Sequence, residues 1–149
     1  MLLGLAAALP TCVALATELV FACAGRKGLF LRQGALGLTV RQAHREVERH
    51  IPWLTGTAAV ASLGLALSAG ILTRPGCLAL GAALALGAHL KLYSEVAKRF
   101  QDDTKCLERP STSTVDLAAM QSRWEVEMTT RASLHAAALV CIVASVLLA

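Results

Sequence analysis

The sequence predicts an all-α integral membrane protein: a four-helix bundle built as one domain over residues 1–149. Three observations predict it. Hydrophobic residues make up 56% of the 149-residue chain. Mean hydropathy is +0.60, too apolar for a soluble domain of this size. The apolar residues gather into four runs, about 2–25, 51–73, 77–92 and 130–149. All but the short third run have the length a helix needs to cross a bilayer. The 14 Lys and Arg divide unevenly, with six in 26–50, seven in 91–131 and only Arg74 between the second and third runs. Cytoplasmic loops carry the excess of Lys and Arg, so both long connections are expected in the cytoplasm and both termini outside, in the cell membrane. This topology accounts for the net charge of +4 without a nucleic-acid partner.

The first run, Leu2 to Gly25, reaches about 36 Å as a helix. It lacks a basic start and continues past Ala14-Leu15-Ala16, so a membrane span is expected rather than a cleaved leader. Pro10 predicts a kink, and Glu18 is the one carboxylate inside an apolar run. Next comes a Gly-rich basic stretch, RKGLFLRQGALGLT, read as an interfacial loop. Thr39 reads as the N-cap of a polar helix, VRQAHREVERH, that continues through Ile51, Pro52 and Trp53 into the second span. His44, Glu48 and Thr55 lie near one stripe of it, with His50 off the stripe; both histidines, His44 and His50, and both glutamates, Glu46 and Glu48, read as a solvated face.

The second run carries small residues for close helix contact, including Gly56, Ser62, Gly64 and Gly70. Thr73-Arg74-Pro75-Gly76 reads as a tight turn into the third run, Cys77 to Leu92, which holds His89 near its far end. A polar extension follows, then a turn-rich break from Pro110 to Thr114, then a helix from Asp116 leading into the fourth run. On that last helix Trp124, Met128, Arg131 and His135 share one stripe, and Glu127 stands one turn before Arg131. An ionisable group inside a span is expensive and ordinarily faces the bundle interior. Glu18, His50, His89, Arg131 and His135 all fall within about 10 Å of the cytoplasmic interface at 1.5 Å per residue. Glu18, His89, Arg131 and His135 are therefore expected to face one apolar-walled cavity opening to that interface, with Glu18 or Glu127 pairing Arg131. Interfacial snorkelling is the competing account of the same layer.

The five cysteines have irregular spacing and no CxxC, so they read as small packing residues. No compact metal-ligand motif occurs, and no bound metal is expected.

Four spans in this length, His50-Ile51-Pro52-Trp53 closing a polar helix, and Arg123-Trp124 followed by Arg131 one heptad after the Trp resemble the anthrone-oxygenase-like family of small integral membrane proteins. Met128 stands where that family often has Asn or His. The resemblance implies oxidation of a polyketide anthrone by O2 with no cofactor. On that chemistry His135 or His89 would be the base, Arg131 would hold the oxyanion, and Glu18 would orient an imidazole or act as the base itself. Trp53, Trp124, Met128 and His50 would bind the flat substrate. The expected partners are a hydrophobic small molecule and the lipid bilayer, with a homo-oligomer left open. Two alternatives stand beside this one: a non-enzymatic accessory or transport subunit of a membrane complex, and a glutathione-using membrane transferase.

Overall fold

The computed structural model describes the backbone of residues 1–26, 35–107 and 114–149, and the side chains of 1–24, 39–96, 99 and 118–149. Every element among these is helical: α1 (Leu2–Arg26), α2 (Ala35–Glu48), α3 (Ile51–Ala69), α4 (Arg74–Leu107) and α5 (Thr114–Leu148). Four helical stretches, Leu2–Ala24, Thr39–Ala69, Arg74–Val96 and Ala118–Leu148, are long and apolar enough to cross a membrane. They form a ring in which α1 packs on α3 and α5, and α4 packs on α3 and α5. The expected basic loop after Arg26 and the break from Pro110 lie largely outside the described residues.

The seam is set by spacing. On α5 the buried positions include 124, 128, 131, 135, 138, 142 and 145, which alternate steps of four and three, with Met120 and Ala132 buried beside them. On α3 they include 51, 55, 58, 62 and 65, with the same alternation, and Ala66. This is the 3.5-residue period that keeps one stripe of a helix facing its neighbours in a left-handed bundle. At the terminal end the core is built from Ala7, Ala58, Ala82, Leu86, Ala138 and Ile142, contributed by all four spans. Alanines there let the backbones approach closely. Buried hydroxyls in this layer are satisfied within their own helices: Thr11 donates to the Ala7 carbonyl (2.7 Å) and Ser62 to the Ala58 carbonyl (2.8 Å).

Several local expectations are corrected. α2 begins at Ala35, so Thr39 lies inside the helix rather than capping it. α2 and α3 are not one helix, because the chain turns at Arg49 and His50. Pro52 is the reason: it has no N–H to give the Glu48 carbonyl four residues back, and its ring crowds that carbonyl. The Tyr93 hydroxyl donates to the freed oxygen instead, at 3.0 Å. α3 ends at Ala69, short of residue 73, because Gly70 adopts φ 85°, a conformation that favours glycine. Arg74-Pro75-Gly76 is already the first turn of α4. Thr73 caps it by accepting the Gly76 N–H at 3.1 Å, and Pro75 needs no partner there. Of the cysteines with described side chains, Cys12, Cys23 and Cys77 are exposed and only Cys141 packs against the core, so most are surface groups and not packing residues.

Candidate functional site: a buried Glu-His-His-Arg cluster

Glu18 stands on the buried stripe of α1, one turn beyond Ala14. The same level of the bundle receives Thr55 from α3, His89 from α4, and Arg131 and His135 from α5. All are interior: relative exposure is 2% for Glu18, 1% for Arg131 and 0% for His89 and His135. An ionisable group at such a depth is retained only with partners, and each of these has them.

The Glu18 carboxylate is the hub. Its Oε1 lies 2.6 Å from His89 Nε2 and accepts from Arg131 Nε at 3.1 Å. Its Oε2 lies 2.7 Å from His135 Nδ1. An ionised carboxylate can only accept, so His89 carries its proton on Nε2 and His135 on Nδ1. In the neutral His135 ring Nε2 is then an acceptor, and the Thr55 hydroxyl donates to it at 3.1 Å. His135 is fixed at both nitrogens. His89 is held at one, since its buried Nδ1 has no hydrogen-bond partner. The two imidazole centroids are 4.0 Å apart.

Arg131 links this hub to α2. Its Nη1 donates to Glu48 Oε1 at 2.7 Å, and its guanidinium carbon sits 5.0 Å over the Tyr93 ring. His44 Nε2 lies 3.6 Å from the same Glu48 oxygen. The His44 ring is wedged edge-on between Phe21 (4.6 Å) and Trp124 (4.9 Å), closing the inner end of the cluster. Two carboxylates thus face one guanidinium. With the imidazoles neutral, the cluster would hold an uncompensated negative charge in a low-dielectric interior, which is costly. One further positive charge, a shared proton or a cation, would offset it.

The four side chains expected to converge do so, and far more tightly than a ligand's width: ligating atoms of Glu18, His89 and His135 lie within 4.8 Å of one another. Of the two partners expected for Arg131, Glu18 is taken; Glu48 joins it, and a Glu127 oxygen lies 3.8 Å from Arg99 Nη1. One expectation is corrected. Of the four residues read as a solvated face, Glu46 and His50 are exposed, whereas His44 is buried and Glu48 nearly so. Of the expected substrate-binding residues, Trp124 and Met128 are buried beside Ala22 at the inner end. His50 is exposed at the α2–α3 turn, and Trp53 is 77% exposed. Trp53 points away from the cluster and lines an outer groove of about 810 Å³ with Pro52, Gly56, Val60 and Gly64.

Glu48, Thr55 and Tyr93 join the site without having been assigned to it. One signal did exist: 44, 48, 51, 55, 58 continue a single alternation of four and three across the Pro52 break. No family model matches this chain, and neither a curated protein nor a solved structure does.

Proposed function

We propose that this chain is a small enzyme of the cell membrane that removes a proton from a weakly acidic carbon of an apolar aromatic substrate, with an anthrone as the test case and O2 as oxidant. The observation that supports it most is the Glu18 hub, a buried carboxylate shared by two imidazoles and a guanidinium. Such a group passes a proton between carboxylate and imidazole over contacts of 2.6–2.7 Å. Arg131 supplies a fixed positive charge where an enolate-type oxygen would form. The atoms balance. The base takes one proton from the anthrone methylene carbon, and the resulting carbanion forms a C–O bond with O2. The peroxide gains a proton. Loss of the second C–H proton then breaks the O–O bond, leaving a quinone carbonyl and one water.

The four side chains are buried, so on this reading the substrate reaches them past His44 on α2, from the face bearing the long connections. Those connections are assigned to the cytoplasm by their Lys and Arg content. The test is quinone formation and O2 uptake by the purified protein in lipid nanodiscs supplied with an anthrone. Both should exceed empty nanodiscs and fall at least 100-fold in Glu18→Gln. Equal rates in wild type, Glu18→Gln and empty discs would end this reading.

Near-complete burial of every charged group also favours a second one: a proton-handling subunit with no small-molecule substrate. On that reading the protein co-purifies strictly with a larger membrane complex, whose proton-coupled activity falls in Glu18→Gln.

A further inference from the structure

We propose that Glu18, His89 and His135 form a mononuclear site for a divalent first-row metal ion, ferrous iron before zinc. The inference shares with the proposed function only the premise that this cluster is the working centre.

Three observations carry it. Three side chains from three different helices bring ligating atoms within 4.8 Å of one another. Metal–ligand bonds of about 2.0–2.1 Å put neighbouring donors about 3 Å apart and opposite ones about 4.1 Å apart, so the widest pair must draw in while the two shortest contacts open slightly. Both carboxylate oxygens face an imidazole nitrogen, Oε1 towards His89 and Oε2 towards His135. An ion entering there replaces the protons shared across these two contacts. The supporting shell is already present: Thr55 holds the far nitrogen of His135, and Arg131 holds the carboxylate. His89 has no such support: its buried Nδ1, which carries the ring proton once Nε2 ligates, has no hydrogen-bond partner, so it is the weaker ligand of the two imidazoles.

Charge supports the same reading. The single Arg131 guanidinium is shared by Glu48, at 2.7 Å, and Glu18, at 3.1 Å. One negative charge of the ionised pair is then left to balance, and a divalent ion carrying a hydroxide does so. Two imidazoles and one carboxylate, with positions left open for other ligands, is the donor set that suits non-haem ferrous iron; zinc accepts the same donors.

The experiment uses the full chain in nanodiscs, stripped with a chelator and titrated anaerobically with Co²⁺ as the probe. One Co²⁺ per chain is expected, with visible d–d absorption and proton release measured in weak buffer. Affinity should fall at least 100-fold in His89→Gln and in Glu18→Gln, and should be unchanged in His50→Gln, which removes an exposed imidazole. Melting curves verify that each variant is folded; if Glu18→Gln is not, Thr55→Val serves, with a smaller loss of affinity expected. Substoichiometric uptake, or uptake that survives loss of His89, overturns the proposal. Stripped protein that takes up no Co²⁺ yet oxidises an anthrone sinks the metal site and leaves the function standing. Protein that loads Co²⁺ but leaves the anthrone untouched, stripped or reloaded with iron, does the reverse.

Discussion

Arg131 touches more of the site than any other side chain. It contacts Glu18 on α1, Glu48 on α2 and the Tyr93 ring on α4 while itself belonging to α5. Removing its charge strands two carboxylates in the interior. Arg131→Met should therefore destabilise the bundle by about 3–5 kcal/mol, the range for breaking a buried pair from one side. Adding Glu48→Gln to that variant should recover part of the loss, because one of the stranded charges is then gone. Thermal unfolding in one detergent measures both. If the double variant is no more stable than Arg131→Met, the Glu48 charge is not balanced by Arg131, and the pairing described above is wrong. Burial at this depth raises the stakes of every partner, because a lone charge here has no water to fall back on.

At the scale of elements, two short breaks position the site. The α2–α3 turn lets His44 and Glu48 lean into the bundle, and its physical basis is the missing N–H of Pro52. Tyr93 repairs the broken bond from α4. Tyr93→Phe should thus cost about 1 kcal/mol, more if the carbonyl stays buried and unmet. In a Pro52→Ala background the helix can supply its own N–H, and the same substitution should cost much less. Equal costs in the two backgrounds would show that Tyr93 contributes by packing alone. The α3–α4 turn is set by backbone contact instead. A Cβ on Gly76 would run into the Gly70 carbonyl oxygen. Gly76→Ala should lower the melting temperature, whereas Gly56→Ala, where a Cβ meets open space, should not.

For the whole molecule, the helices are longer than the bilayer needs. α4 has 34 residues and α5 has 35, so each extends about 50 Å against a hydrocarbon core of about 30 Å. Both overrun at the same end, where the basic connections lie, and the polar cluster sits beneath that end. Reporter fusions at Gly34 and Ser111 should read cytoplasmic, and one at Pro75 external, as the Lys and Arg distribution requires. An external signal at Gly34 would invert the molecule and place the His44 seal on the outer face.

Hydropathy alone determined a helical chain with four segments long and apolar enough to cross a membrane, since a bilayer admits only segments that satisfy their own backbone. Depth along each span likewise brought Glu18, His89, Arg131 and His135 to one level, because rise per residue is constant in a helix. Tertiary structure decided what rotation and packing control. His44 and Glu48 read as a solvated face because charged residues on a polar helix are usually wet; Trp124, Phe21 and Arg131 covered them. Glu18 and His135 are 117 residues apart, and the ligand set they form with His89 leaves no local motif to recognise. Only the packed seam brings these atoms within reach, and with them the charge balance on which both proposals rest.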